Sequence, residues 1–273
     1  MESSDLLATS MENREGASQP NAHLISLRGV SMAFNNANGL FVEVLRDFTF
    51  EVPEGQIVGL IGPSGCGKTT ILKIVAGLLT PTSGSAIVEG APSPIARERR
   101  AFSFMFQRPV LLPWLTVRQN VQLPGRIALG RQADDQNLDL IALVGLNGFE
   151  DALPHQLSGG MQARVALARS LASRPKVLLM DEPFGSLDAM TRSVMQDEFL
   201  KIMDSARTTV VLVTHSIDEA VYLSDRAIVL SGRPAAIQMD MMIDLSRPRH
   251  RTVKDSPSFI KYRAKIEEKI FGQ

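Results

Sequence analysis

Cysteine is almost missing from this chain. Cys66 stands alone among 273 residues, which rules out an intrachain disulfide and fits a reducing compartment. Excess charge of either sign is missing as well. Lys+Arg and Asp+Glu both number 29, which argues against a basic nucleic-acid-binding domain and gives the expectation of no nucleic-acid partner. No apolar run approaches the roughly 20 residues that cross a bilayer. The stretch Met1–Asn21 is polar, with no apolar segment of the signal-peptide type. These absences predict a cytoplasmic protein that meets a membrane only through a partner. Internal repeats are absent too. What remains is ordinary for a globular protein, 44% hydrophobic and 21% charged, and long enough for one large domain or two small ones.

The most informative stretch runs from Gln56 to Thr70. Ile57 to Ile61 is apolar on both faces, as a central parallel strand should be. It leads into Gly62-Pro63-Ser64-Gly65-Cys66-Gly67-Lys68-Thr69-Thr70, the pattern G-x-x-x-x-G-K-[ST] of a phosphate-binding P-loop. The glycines take backbone angles closed to other residues, so successive N–H groups turn inward on an anion. A helix starting near Lys68 adds the positive end of its dipole. Lys68 brings a full charge to the outer phosphates, and the Thr69 hydroxyl suits Mg²⁺. Cys66 reads as a small filler in this loop, not as a nucleophile.

Around that loop the pattern predicts alternating strands and helices, hence a mostly parallel α/β sheet. Strands are expected over His23–Phe34, Val42–Val52, Ser85–Val88, Ala101–Phe106, Val177–Met180, Thr209–Thr214 and Arg226–Leu230. Helices are expected over Gln136–Val144, Gly160–Ala172, Met190–Met203, Ile217–Leu223 and Ser258–Phe271. Residues 1–22 read as a disordered tail. Asn35 to Gly39 and Gly90–Pro94 read as turns, Pro109–Pro113 and Pro124-Gly125 as breaks, and the segment after Gly232-Arg233-Pro234 as less regular.

Phosphate chemistry needs an acidic residue at the end of a neighbouring strand to hold magnesium. Val177 to Met180 followed by Asp181-Glu182 fits: Asp181 for Mg²⁺, Glu182 to polarise the attacking water as general base. Between the two motifs, Ser158-Gly159-Gly160 opens a helix, an anion site in its own right.

A P-loop, a serine-glycine helix start and an Asp-Glu strand end, in that order, resemble the ATPase subunits of ABC transporters over about residues 24–232. The resemblance implies an α/β fold: a P-loop NTPase (RecA-like) core with an antiparallel β subdomain and an inserted α-helical subdomain at about 108–172. The ATPase domain would span 23–232, and 233–273 would be a C-terminal extension. It implies ATP and Mg²⁺ as ligands. Gln107 would touch Mg²⁺ and sense the γ-phosphate, His215 would hydrogen-bond that phosphate, and Asp188, in Ser186-Leu187-Asp188, would line a dimer interface. An aromatic should stack on adenine; Phe34 is chosen, with Phe41 as competitor. Ala163 departs from the polar residue usual there.

The family's mechanism needs a second copy of the chain, head to tail, so that the P-loop of one and Ser158–Gly160 of the other clamp each ATP. Membrane permease subunits would receive the motion, with a solute-binding protein further out, which puts the chain on the cytoplasmic face of the membrane. The segment Arg108 to Trp114 would border the groove for the permease. Leu111 to Val117, Phe184 to Arg192 and the tail Asp255-Ser256-Pro257-Ser258-Phe259 resemble the ATPases of nitrate, sulfonate and taurine importers. Two alternatives stand beside this reading: a soluble ABC ATPase of DNA repair or translation, and a nucleotide switch that does not hydrolyse. The basic cluster Arg247, Arg249, His250 and Arg251 suggests a solvated tail or a face for anionic lipid.

Overall fold

The computed structural model describes residues 23–35, 41–129 and 140–272. The expected tail at 1–22, the turn between the first two strands and the part of the expected helix before residue 140 lie outside them.

Two sheets organise the chain. The first is antiparallel, with strand order β2-β1-β4-β5, from β1 (Ile25–Asn35), β2 (Phe41–Val52), β4 (Ser83–Val88) and β5 (Ala91–Pro92). The second has order β10-β9-β3-β8-β7-β6, from β3 (Ile57–Ile61), β6 (Phe102–Met105), β7 (Val177–Asp181), β8 (Thr209–Thr214), β9 (Arg226–Leu230) and β10 (Ile237–Met242). Within it β6, β7, β8, β3 and β9 run parallel and β10 antiparallel.

The continuous apolar runs are explained by burial on both faces. Ile57, Ile61, Leu178, Met180, Val210 and Leu212 point into one core, shared with α3 (Val117–Leu129), α4 (Gly159–Leu171), α5 (Ala189–Ala206), α6 (Ile217–Leu223) and α7 (Pro257–Phe271). Val58, Leu60, Val177, Leu179, Val211 and Val213 point into the other, against α1 (Lys68–Val75) and the antiparallel sheet.

Three local expectations are corrected. Gly90–Pro94 is not only a turn, because α2 (Ser93–Glu98) begins within it, with proline in its first turn, where the missing N–H has no partner to lose. Pro124 does not break the chain: α3 runs through it. One helical bond is forfeited, but Val117 and Val121 are buried and Asn120 anchors the helix start. The Asn120 Oδ1 accepts from Leu112 N at 2.9 Å, and its Nδ2 lies 2.9 Å from the Leu115 carbonyl. The segment after Gly232-Arg233-Pro234 is also more regular than its composition suggests, since β10 pairs with β9 and extends the central sheet. Its polar and methionine-rich alternation suits a half-buried edge strand.

The basic cluster near residue 250 is not simply a solvated tail: Arg249 and Arg247 are drawn into the fold, while His250 and Arg251 stay exposed. Arg249 is buried and donates to the carbonyls of Tyr222 and Ser224 at 2.9 and 2.8 Å. Arg247 is paired with Asp225 and Asp204 at 2.8 and 2.7 Å, and Arg251 with Asp197 at 2.6 Å. These cations staple the C-terminal segment to the core. His250 alone of the four is exposed without such a pair. No helix of the described residues is long and apolar enough to cross a membrane.

Candidate functional site

Strand order gathers the sequence motifs. In the series β3, β8, β7, β6 each strand is parallel to its neighbour, and they end nearly level: Ile61 lies opposite Thr214, Val213 opposite Asp181, and Met180 opposite Met105. The residues that follow, from the P-loop, His215, Glu182 and Gln107, therefore stand together outside the carboxyl ends, where open α/β sheets place their ligands.

A cleft of about 560 Å³ opens there, lined by Ser64, Gly65, Gly67, Lys68, Thr69 and Thr70 on one side and by Phe34, Gln107 and Glu182 on the others. Gly67 has φ of 118°, and a Cβ on it would come within 2.7 Å of Val44 Cγ1. Only glycine fits that approach. The helix α1 starts from this residue with no side-chain cap, whereas Ser158, Asp188, Ser216 and Ser256 cap α4 to α7. Its first-turn N–H groups face the cleft unclaimed by any side chain, an arrangement that suits a phosphate. Lys68 is buried, its Nζ 2.7 Å from the Gly62 carbonyl and 2.9 Å from that of Pro63. Cys66 is buried in the core beneath the loop, as a filler would be.

The acidic pair divides its contacts. Thr69 Oγ1 donates to Asp181 Oδ1 at 3.0 Å. Burial pushes the Asp181 carboxyl up from its ordinary range, while the Thr69 hydroxyl, Lys73 and Lys68 oppose that and the Glu182 charge reinforces it. A cation at this point would favour the ionised form. Among the described residues no group of three or more His, Cys, Asp or Glu could hold a metal. Thr69 and Asp181 nevertheless fit Mg²⁺, which is held through few protein oxygens when phosphates and water complete its shell. Gln107, also expected to touch the metal, donates instead to Glu182.

Glu182 Oε2 is the meeting point of the site. Gln107 Nε2 donates to it at 2.9 Å, and His215 Nδ1 stands 3.3 Å away. Glu182 itself adopts φ of 47°, uncommon for a residue with a side chain. Its N–H is bonded to the Val213 carbonyl at 2.9 Å, which fixes the turn. Strained backbone of this kind concentrates at functional sites.

Ser158, Gly159, Gly160 and Asp188 lie apart from this cleft. Ser158 caps α4 and Asp188 caps α5, accepting from Met161 N at 3.2 Å and Thr191 N at 3.0 Å. A Cβ on Gly159 would meet nothing, so the serine-glycine turn presents open backbone to the exterior. Of the two aromatics, Phe34 lines the cleft at 38% exposure, whereas Phe41 is 78% exposed and does not line it. Phe34 pairs with Val42, and Phe41 with Asn35, one step along the ladder, so the two rings point to opposite faces.

Four lining residues were not legible in the motifs: Asn35, Val42, Val44 and Arg233. Arg233 Nε donates to the Gly65 carbonyl, reaching the P-loop from the turn between β9 and β10. The alternation of Val42 and Val44 with Glu43 marked the valines as one face; for Arg233 no local pattern signals the contact.

Residues 45–185 match the ABC transporter family. The chain belongs to that family. Among curated relatives of this ABC protein, an ABC transporter ATP-binding protein of Methanocaldococcus jannaschii is 48% identical, covering 84% of this chain and 85% of its own. An aliphatic sulfonates import ATP-binding protein of Bacillus thuringiensis is 42% identical over 89% of this chain and 94% of its own. A taurine import ATP-binding protein of Jannaschia sp. is 40% identical over 91% and 97%. Among solved structures, a dimeric bacterial ABC transporter cassette matches with a TM-score of 0.73 at 30% identity, over 81% of this chain and 100% of that one. A second structure of that cassette, in a post-hydrolysis state bound to ADP and Pi, matches with a TM-score of 0.73 at 29% identity over the same shares.

Proposed function

We propose that this chain is the ATP-binding, ATP-hydrolysing subunit of an ABC importer and that its solute is of the nitrate, sulfonate or taurine type. It is an ABC ATPase, and the relatives named as import ATP-binding proteins set aside the soluble DNA-repair or translation alternative. The observation that carries the catalytic reading is the convergence of Gln107 and His215 on one oxygen of Glu182, beside the Thr69–Asp181 bond and the uncapped start of α1.

In this reading the α1 N-terminus, Gly65, Gly67 and Lys68 bind the phosphates, while Thr69 and Asp181 hold Mg²⁺, which neutralises phosphate charge when bound. Glu182 accepts the proton of the attacking water; Gln107 and His215 orient that carboxylate until a γ-phosphate gives them their own contact. Ser158–Gly160 and Asp188, exposed away from the cleft, belong to a head-to-tail dimer in which each copy completes the other's site. Residues 23–232 form the ATPase domain, with a helical subdomain at about 108–172, and 233–273 the extension. Trp114, 71% exposed beside Gln107's loop, faces the permease on the cytoplasmic side of the membrane. A solute-binding protein supplies the transported molecule.

Phe34→Ala is expected to raise the ATP dissociation constant about tenfold, the effect of losing a base–aromatic stack, and Phe41→Ala to change it little. Calorimetric titration with a non-hydrolysable ATP analogue decides between them; the reverse order moves the stacking role to Phe41. Arg233→Ala in the same titration is expected to weaken binding about threefold to tenfold, since it removes a charged donor from the P-loop carbonyl. The importer assignment is tested by co-purification of the tagged chain with an integral membrane permease, and its absence from any such complex counts against it.

A further inference from the structure

A buried polar chain leads from the C-terminal segment to the residues on either side of His215, and nothing in the proposed hydrolysis uses it. The His215 side chain is 62% exposed, and among the described residues its ring has one polar contact, to Glu182. Its position therefore depends on the backbone at 214 and 216. Both positions are held by Glu219 in the first turn of α6, Thr214 by its carboxylate and Ser216 by its backbone N–H. Thr214 Oγ1 donates to Glu219 Oε2 and accepts from Ser216 N at 3.0 Å. Ser216 Oγ in turn accepts from Glu219 N at 3.3 Å.

Glu219 is a buried carboxylate, and burial pushes it up from its ordinary range against the Thr214 and Gln196 hydrogen bonds that hold it down. Its second oxygen accepts from Gln196 Nε2 at 3.1 Å, and Gln196, on α5, is itself buried. The far end of that amide, Oε1, accepts from Lys254 Nζ at 3.4 Å. Lys254 stands in the short 3-10 turn Arg251–Asp255 that precedes α7, and its ammonium lies 4.3 Å from the centre of the Tyr222 ring. Tyr222 donates to Asp197, and Arg251 of the same turn pairs with that carboxylate. Two cations of one turn are thus anchored to the helices that carry Gln196 and Glu219.

We propose that Glu219 is a positioning residue for His215, and that Lys254 ties this positioning to the C-terminal segment, so that displacement of the segment slows hydrolysis. The inference rests on the ATPase reading of His215. Glu219→Gln keeps the shape but replaces one carboxylate oxygen with an amide N–H₂: turned toward Gln196 Nε2 it sets donor against donor, and turned toward Thr214 it reverses that hydrogen bond and takes the acceptor away from the hydroxyl proton. Lys254→Met keeps the apolar stem and removes the terminal donor.

With the full chain and Mg-ATP, Glu219→Gln is expected to lower kcat about tenfold, as small misplacements of catalytic groups do, and Lys254→Met about threefold, both with ATP affinity unchanged. In a His215→Ala background, followed by single-turnover hydrolysis, neither substitution should lower the rate further, because both act through His215. The ring resonances of His215, assigned by their loss in His215→Ala, should shift in both variants while those of His155 do not. Equal rate losses in both backgrounds, an unmoved His215 signal, or affinity falling in step with kcat would overturn the proposal. If Glu219→Gln does not fold, Lys254→Met carries the same cycle. A parental chain that hydrolyses no ATP sinks the functional reading; a parental chain that does, with unaffected variants, sinks only this inference.

Discussion

Glu182→Gln is expected to lower ATP turnover by about 10²–10⁴-fold, the usual contribution of a positioned general base. The substitution is nearly isosteric, and the amide that replaces the carboxylate would still offer an oxygen to Gln107 Nε2, which now sits 2.9 Å from Glu182 Oε2. The unusual backbone at φ of 47° is held by the Val213 carbonyl and not by the side chain, so the turn should survive. What the amide lacks is a basic oxygen to take the water proton. ATP affinity should therefore stay near that of the parent, and an ATP-bound dimer should accumulate because its opening waits on hydrolysis. Steady-state phosphate release measures the first effect and size-exclusion chromatography with ATP the second. Turnover at the parental rate would remove Glu182 from the base role and leave only its structural contacts to explain.

The parts of this site that are legible in sequence are those carried by short, contiguous chemistry. Gly62 to Thr70 announces itself because the loop needs glycine where φ is positive and a lysine and hydroxyl at fixed offsets. Asp181 and Glu182 are visible because a buried strand ends in two acids. The strands β3, β7 and β8 were legible for the same physical reason: burial on both faces demands unbroken apolar runs.

Contacts made across the fold leave no such trace. Arg233 sits at what reads as a boundary turn, yet its guanidinium reaches a P-loop carbonyl because β9 lies beside β3. The tail arginines read as a solvated cluster because charge runs are usually solvated; here Asp197 and Asp204 on α5 and Asp225 just before β9 pair with them, and Arg247 and Arg249 are drawn inward. Pro124 read as a break because propensity knows nothing of the buried Asn120 that fixes the start of α3. In each case tertiary packing overrode a local signal.

Lys68→Ala acts on binding, not on the chemical step, and the structure gives it two separable effects. Loss of a charge-assisted contact to phosphate removes about 1.5–3 kcal/mol, which corresponds to roughly a ten- to hundredfold rise in the ATP dissociation constant. Lys68 Nζ also bridges the Gly62 and Pro63 carbonyls at 2.7 and 2.9 Å, and its removal leaves those acceptors without this donor. The nucleotide-free variant should accordingly melt lower, by an amount that reflects about 1 kcal/mol per lost hydrogen bond. The two effects part company on adding ATP. The parental chain should gain thermal stability with ligand as binding to the native state predicts, and Lys68→Ala should gain far less at the same concentration. Calorimetric titration and thermal melting, each with and without nucleotide, measure both. A variant that melts lower yet binds ATP with parental affinity would make Lys68 a scaffold of the loop alone and hand the phosphate charge to the α1 N-terminus and Arg233.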